Sequence, residues 1–192
     1  MQVVVREAEE ADLAKAARTL REAFAQYPFT RHVLAEDDHL GRLERFQKLF
    51  LAHVGMPYGK VWVEDGVRAV AVWTTPETPL DVFGELAPRF AELVGDRLEA
   101  YEAAEAVMAA QRPREPMWFL GTVGVDPAAQ GAGLGGAIVR PGIEAAERDG
   151  VPAFLETSTD RNVRFYQRLG FEVVSEYDLP DGGPRTWSMI KR

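Results

Sequence analysis

The chain of 192 residues carries 22 basic and 30 acidic side chains, a net charge of −8, and no cysteine. This length fits one domain with a substantial core, so we predict a single domain over residues 1–192. The lack of cysteine excludes disulfides, thiolate catalysis and cysteine-based zinc sites, and the acidic balance argues weakly against a nucleic-acid-binding surface.

Neither a membrane span nor a secretory signal is indicated. No run approaches the roughly 18 apolar residues of a membrane-spanning helix. Residues 1–7 lack a basic region followed by a long apolar region. We therefore expect a cytoplasmic protein without a membrane partner. His32, His39 and His53 show no metal-ligand spacing, so we expect no metal site.

The first half of the chain predicts helices around one β-hairpin. Tyr27-Pro28 predicts a loop over 26–30, because the residue before proline is pushed out of the α region. Asp65-Gly66 is typical of a primed turn between antiparallel strands. The predicted elements are a strand at 3–5, helices at 8–25 and 37–54, strands at 60–64 and 68–73, and helices at 82–94 and 96–111.

The second half predicts strand, helix and strand in alternation. Residues 117–125 are nearly all apolar, which predicts a strand buried on both faces. A helix follows, with Pro141 expected to kink it, and then a strand at 151–156 that should lie parallel to the first. The last predicted elements are a helix at 161–169, capped by Ser158, Thr159 or Asp160, and strands at 172–178 and 185–190.

A glycine-rich loop, Gln130–Gly135, joins the apolar strand to its helix after Asp126-Pro127. Free backbone N–H groups and the helix dipole at such a point favour an anion, so we predict a phosphate site. The loop lacks the spacing of a dinucleotide fingerprint and the Gly-Lys-Ser/Thr of a Walker loop. The alternative is a glycine-rich turn that lets the helix pack closely on the sheet.

Three side chains, those of Tyr166, Glu156 and Tyr27, are candidates for proton transfer. Asn162 and Tyr166 lie four residues apart on a predicted helix and so reach the same face. Glu156 ends the strand that precedes this helix, where it could accept a proton directly or through water, or merely cap the following turn. Tyr27 carries a further hydroxyl for a proton relay, although a tyrosine at a helix end more often only packs.

Two of these motifs resemble a known superfamily. Gln130-Gly131-Ala132-Gly133-Leu134-Gly135 resembles the pyrophosphate-binding loop of the GCN5-related N-acetyltransferases (GNAT), which has the pattern Gln/Arg-x-x-Gly-x-Gly/Ala after a valine-rich strand. The segment 162–171 resembles the second motif of that family, and the order of predicted elements matches its fold. The resemblance implies an α/β (α+β) GNAT fold, which is a mixed, mostly antiparallel, twisted sheet with one parallel pair and helices on both faces.

The resemblance also assigns roles to residues. It implies acetyl-CoA as cosubstrate, with Tyr166 as general acid toward the departing sulfur and Glu156 or Tyr27 handling the proton of the amine. Ala132 departs from the family pattern, in which a basic residue is frequent. The implied cofactor-binding residues are Val123, Val125, Gln130, Gly131, Ala132, Gly133, Leu134, Gly135 and Asn162.

Within the superfamily, the chain resembles the puromycin N-acetyltransferases. The similar segments are 18–20, 23–25, 27–28, 30–32, 59–63, 69–77, 122–125, 144–148, 150–158 and 184–187, whereas 79–111 departs. The resemblance implies transfer in a ternary complex to the free α-amine of puromycin, a small-molecule amine, and so antibiotic resistance. Tyr27, Phe29 and Trp73, with Phe83 and Phe90, are candidates for an aromatic pocket, and each is equally explained as core.

Two alternatives stay open. The acceptor can be another small amine, or the chain can be a non-catalytic acyl-CoA-binding module that keeps the loop.

Overall fold

The computed structural model describes residues 3–192, and all seven strands in that range form one sheet. The strands are β1 (Val5–Glu7), β2 (Lys60–Glu64), β3 (Ala69–Thr74), β4 (Trp118–Val125), β5 (Ala153–Thr157), β6 (Glu172–Asp178) and β7 (Arg185–Lys191). Their order across the sheet is β1-β2-β3-β4-β5-β7-β6. Every pair is antiparallel except β4 and β5, which run parallel.

Eight α-helices join the strands of the described residues. They are α1 (Leu13–Phe24), α2 (Pro28–Val33), α3 (His39–Phe50), α4 (Met56–Tyr58), α5 (Asp81–Val94), α6 (Leu98–Gln111), α7 (Leu134–Asp149) and α8 (Asp160–Gln167). A wider helical turn, Leu51–Gly55, connects α3 to α4. Between residues 3 and 192, no helix combines the length and apolar character needed to cross a bilayer.

Helices cover both faces of the sheet, which confirms the predicted fold class. On one face, Ile138 and Val139 of α7 pack in a cluster with Trp73 and Leu155 of the sheet. Gly142 permits this close approach, because a Cβ at that position would lie 2.2 Å from the Trp73 ring. On the other face, apolar residues of α1, α2, α3, α5 and α6 form three further clusters. Each fully buried aliphatic side chain contributes about 1.5–3 kcal/mol to folding.

The parallel strands β4 and β5 part along their length. Only Trp118, Phe119 and Leu120 of β4 pair with β5, although β4 continues to Val125. Gly121 is an extra residue in the pairing of β3 with β4, because Val72 pairs with Thr122 and the next residue, Trp73, pairs with Leu120. This bulge changes which side chains face α7: Trp118 and Leu120 before it, and Val123 and Val125 after it. The parting opens a cleft in the sheet.

Several predicted boundaries are corrected by the structure. The predicted loop at 26–30 contains the start of α2, because Pro28 occupies the first helical position, where its missing N–H costs nothing. The predicted helix at 8–25 begins as a tighter turn, Glu10–Asp12, before α1. The first strand is Val5–Glu7, and residues 1 and 2 of the N-terminal stretch lie outside the described residues. The helix containing Pro141 runs continuously from Leu134 to Asp149.

The hairpin between β2 and β3 is present, but its turn differs from the prediction. Val67 adopts the left-handed conformation, with φ of 54°, and neither Asp65 nor Gly66 does. The Glu64 carboxylate holds this four-residue loop by accepting hydrogen bonds from the guanidinium and the backbone N–H of Arg68. The expectation that β4 is buried on both faces is also wrong, since Phe119, Val123 and Val125 are only partly buried.

Candidate active site

The glycine-rich loop presents backbone donors at the start of α7. Gly131 and Gly133 have φ of 84° and 79°, left-handed values that strain any residue with a Cβ. Within residues 3–192, none of the N–H groups from 131 to 136 donates a hydrogen bond to the chain. No side chain caps α7, so its first turn is open to an anion.

The exposed edge of β4 continues this donor surface. The N–H of Asp126 donates to the carbonyl of Arg68 on the β3 side. Because successive peptides of an antiparallel strand point to opposite edges, the peptide groups of Val123 and Val125 face the cleft. Consistently, the Val125 carbonyl accepts a hydrogen bond from Nε2 of Gln130 at 3.3 Å. β5 has already parted from β4 at this level, so the Val123 peptide group and the Val125 N–H are open to an extended ligand.

Helix α8 brings the second motif to the other wall of the cleft. The Thr159 side chain caps α8 by accepting from the N–H of Asn162, as one of the three predicted caps. Asn162 donates from Nδ2 to Oγ1 of Thr157 at 3.1 Å, which ties the helix to the end of β5. Gly135 on α7 lies beside the Phe165 ring, since a Cβ there would be 3.3 Å from it. The loop and α8 therefore form one packed unit.

Tyr166 lies at the back of this unit. Its ring contacts Phe165 and Phe171 edge-on, at centroid distances of 5.0 and 5.8 Å. Burial, with a smaller effect of the nearby Tyr27, raises the pKa of the Tyr166 phenol well above its usual value. Among residues 3–192 its hydroxyl has no hydrogen-bond partner. Tyr166 is thus a phenol that stays protonated at neutral pH and has a proton available to a ligand.

Tyr27 reaches the same place from the opposite side of the sheet. Its hydroxyl accepts a hydrogen bond from the Ser158 N–H at 2.6 Å and lies 3.1 Å from Oγ1 of Thr157. Thr30 fixes the turn that carries Tyr27 by donating from Oγ1 to the Phe24 and Tyr27 carbonyls. Tyr27, Thr157 and Asn162 therefore form one hydrogen-bonded chain from α2 to α8. The sequence predicted no role for Thr157, and for Ser158 only that of a helix cap, because isolated hydroxyl residues carry no spacing signal.

Glu156 is held by a residue that the sequence analysis missed. Arg112 donates from Nε and Nη2 to the two carboxylate oxygens of Glu156, at 3.0 and 2.8 Å. The guanidinium also lies 5.2 Å from the centre of the Phe119 ring and 3.4 Å from Glu105. The turn after β5 is capped by Thr159, so capping is not what Glu156 does. Arg112 follows α6 in a proline-containing connector, and only the fold brings it to β5.

Most of the predicted aromatic pocket lies elsewhere. Trp73 is fully buried between the sheet and α7, so its ring is core and is not open to a ligand. Phe90 is buried against Phe46, and Phe29 packs partly buried in the cluster around α2 and α6. Phe83 is partly exposed on α5. Of this set, Tyr27 alone joins the polar groups described above.

A cavity and the arrangement of the possible metal ligands complete the description of this part of the chain. A surface cavity of about 350 Å³ lies at the C-terminal end of α7, away from the loop, and is lined by Ile143, Pro152 and Lys191 among others. Residues 3–192 contain no group of three or more His, Cys, Asp or Glu side chains arranged to hold a metal ion.

Comparison with known proteins identifies the class to which this site belongs. Residues 57–171, more than half of the chain, match the acetyltransferase (GNAT) family. The chain therefore belongs to the GNAT acetyltransferase family.

Solved structures agree with this assignment. A histone acetyltransferase HPA2 and related acetyltransferase from Corynebacterium glutamicum is 28% identical, with a TM-score of 0.79, over 100% of this chain and 96% of that one. The ribosomal-protein-S18-alanine N-acetyltransferase from Escherichia coli is 20% identical, with a TM-score of 0.55, over 99% and 93%. A Salmonella typhimurium protein solved with its cofactor acetyl-CoA is 18% identical, with a TM-score of 0.58, over 100% and 94%. At these lower identities the last two share the fold.

Proposed function

We propose that this protein transfers the acetyl group of acetyl-CoA to a primary amine of a small molecule, by direct attack in a ternary complex. The observation that carries the proposal is the cleft between β4 and β5. It has unpartnered backbone N–H groups along one wall and the hydroxyls of Tyr27 and Tyr166 at the other. Family membership supports the same reaction class.

The loop is the proposed site of the cofactor diphosphate. The N–H groups of Gly131–Gly136 would donate to phosphate oxygens, and the α7 dipole adds to the attraction. Ala132 offers no charge, but Arg161 donates from Nη2 to Oε1 of Gln130 at 3.4 Å, which places a cation beside the loop. We propose that Arg161 supplies the charge that the family pattern has at position 132.

The strand edge and α8 are the proposed site of the pantetheine arm and the thioester. The peptide groups of Val123 and Val125 would pair with the arm as a neighbouring strand does, and Asn162 would bind it from α8. A backbone N–H at this edge would stabilise the negative charge that develops on the carbonyl oxygen. Tyr166 would donate its proton to the departing sulfur, since its raised pKa keeps it protonated until then.

Puromycin is the specific acceptor that we propose. Its support is the sequence resemblance described above, together with a partly buried tyrosine, Tyr27, at the amine side of the cleft. The net charge of −8 is compatible with a cationic acceptor. A cytoplasmic location and a role in puromycin resistance are further predictions of the sequence.

An acetylation assay tests the proposal. The purified protein is incubated with acetyl-CoA and puromycin, free thiol is followed with time, and mass spectrometry locates the acetyl group. We expect thiol release that depends on puromycin, with the acetyl group on its α-amine. Release with other small amines but not puromycin would refute the substrate and keep the reaction. Tight acetyl-CoA binding without turnover on any amine would indicate a non-catalytic module.

A further inference from the structure

Two carboxylates share one guanidinium at the acceptor side of the cleft. Arg112 engages both oxygens of Glu156, at 3.0 and 2.8 Å, but reaches only one oxygen of Glu105, at 3.4 Å. The Glu156 side chain is 7% exposed, whereas that of Glu105 is 36% exposed. The group therefore has one excess negative charge, and Glu105 is the member that a ligand can reach.

The two carboxylates differ in how free they are to accept a proton. Arg112 donates a hydrogen bond to each of the two carboxylate oxygens of Glu156, so both oxygens are engaged. Within residues 3–192, the second oxygen of Glu105 accepts no hydrogen bond. Burial, helped by the nearby Glu156 and opposed by Arg112, raises the pKa of the Glu105 carboxyl. Glu105 is thus the less engaged of the pair, and the raised pKa of its carboxyl suits a proton acceptor.

A series of contacts through Arg112 and Glu156 connects Glu105 to the end of β5. Arg112 lies over the Phe119 ring at the point where β4 leaves β5, and Glu156 precedes Thr157, which lies beside the Tyr27 hydroxyl. The charged and titratable groups that face the pair are Arg112, Tyr101 of α6 and Tyr177 of β6. The Tyr177 hydroxyl lies 3.2 Å from Oγ of Ser188, and burial raises its pKa to about 12, so it stays neutral.

We infer that Glu105 accepts the proton of the acceptor ammonium, while Glu156 anchors Arg112 and keeps the guanidinium from neutralising Glu105. This inference rests on the proposed function and names the proton acceptor of the same site. Glu105 lies in the stretch 79–111, which departs from the resembled family, so no motif pointed to it.

The protons balance with Glu105 in this role. An acceptor ammonium carries three protons, and its nitrogen keeps one in the amide. Glu105 takes the first proton, which frees the nitrogen lone pair to form the bond to the carbonyl carbon. The second passes to water as the carbon–sulfur bond breaks. Tyr166 gives one proton to the sulfur, and its phenolate regains one from solvent. Glu105 then loses its proton to solvent, so one proton is liberated per turnover.

The test compares three isosteric variants, E105Q, E156Q and E102Q, in the acetylation assay across pH 5–9. Glu102 is exposed on the same helix and is the matched control. We expect E105Q to lower kcat/KM for the amine by about 10²-fold, as loss of a general base does. Its fall in rate at low pH should disappear, because the residue that must be deprotonated is gone. E102Q should resemble the unaltered protein in both respects.

Two further measurements separate the catalytic role from a structural one. E105D should recover part of the rate and the low-pH fall, and the KM for acetyl-CoA should not change in any Glu105 variant. The carboxyl resonance of Glu105 in ¹³C-glutamate-labelled protein, assigned with E105Q, should titrate above the ordinary value of roughly 4.3. Titration at or below that value would overturn the inference.

The failures of the two proposals are distinguishable. No thiol release by the unaltered protein with any amine refutes the proposed function and the inference with it. Normal turnover that E105Q leaves unchanged in rate and pH profile refutes the inference alone. A loss of rate in E156Q that exceeds the loss in E105Q, with the low-pH fall kept in E105Q, would assign the proton to Glu156 instead.

Discussion

The two sides of the cleft offer different chemical groups, backbone N–H groups on one side and side chains on the other. The proposed cofactor half consists of the end of β4, the loop Gln130–Gly135 and helices α7 and α8, and its donors are mainly backbone N–H groups. The proposed acceptor half consists of Tyr27, Glu105, Arg112 and Glu156, and its groups are all side chains. The cofactor half spans one stretch of sequence, whereas the acceptor half draws on three separate stretches.

Because of this difference, we expect the two halves to tolerate substitution of side chains to different degrees. Backbone donors depend on glycine at left-handed positions and on a helix start, so they tolerate changes such as Ala132 in side-chain identity. The acceptor half depends on opposite charges that must meet across the fold, so one substitution leaves a partly buried charge without its partner. We expect cofactor binding to be the robust property and acceptor choice the variable one.

The largest expected effect comes from removing the proposed acid between the halves. Tyr166→Phe keeps the buried ring and should lower kcat by about 10²–10⁴-fold, while acetyl-CoA affinity stays unchanged. Steady-state kinetics with direct cofactor titration measure both quantities. Tyr58→Phe, at an exposed tyrosine, is the control. Near-normal turnover in Tyr166→Phe would assign the proton to water or to Tyr27.

A smaller effect is expected from the acceptor half. Tyr27→Phe removes the hydroxyl that accepts from the Ser158 N–H, so kcat/KM for the amine should fall about tenfold, the equivalent of one hydrogen bond of ~1.4 kcal/mol. Acetyl-CoA affinity should be preserved, as should activity in Tyr58→Phe, an exposed tyrosine. If cofactor affinity falls as much as amine kinetics, the two halves are not separable at this residue.

The cofactor half can be tested with two glycines at opposite ends of one helix. Gly133 and Gly150 flank α7, with φ of 79° and 66°, and a Cβ at either meets no other atom within 4 Å. Each Gly→Ala change should cost about 1 kcal/mol of stability, because both require the left-handed conformation. Only Gly133→Ala should weaken acetyl-CoA binding, by a few-fold in calorimetry. Equal affinities in the two variants would contradict a cofactor site at the loop.

The smallest effect is expected at the β2–β3 hairpin, where the Glu64 side chain belongs to neither half. The Arg68 hydrogen bonds hold the pKa of the Glu64 carboxyl below its usual value. The stability from this pair is therefore present above the unfolded pKa and is lost as pH falls through the lower folded value. Glu64→Gln should slightly reduce the melting temperature at pH 7, and the reduction should be smaller in acid. The kinetics of acetylation should not change. A melting difference that grows toward acid would refute the sign of this linkage.

The elements of the proposed cofactor half were largely predictable because their signals are local. The strand before the loop, the glycines and the spacing of Asn162 and Tyr166 all fall within about fifty residues, and the structure places them around one cleft. Trp73 was not placed correctly, because an aromatic residue near a loop has the same pattern whether it faces core or ligand. Its full burial depends on Gly142, which lies on a helix seventy residues away in sequence.

The seven strands, their order along the chain and the parallel crossover followed from the sequence by itself, because periodicity, proline and glycine act within a few residues. The anion site at the loop is a prediction from the same local signals. The tertiary structure alone decided that β4 parts from β5 after Leu120, that Gly121 forms a bulge, and that Arg112 joins Glu105 to Glu156. These features depend on contacts between residues distant in sequence. Charge pairing across 44 residues has no local pattern that could have indicated it.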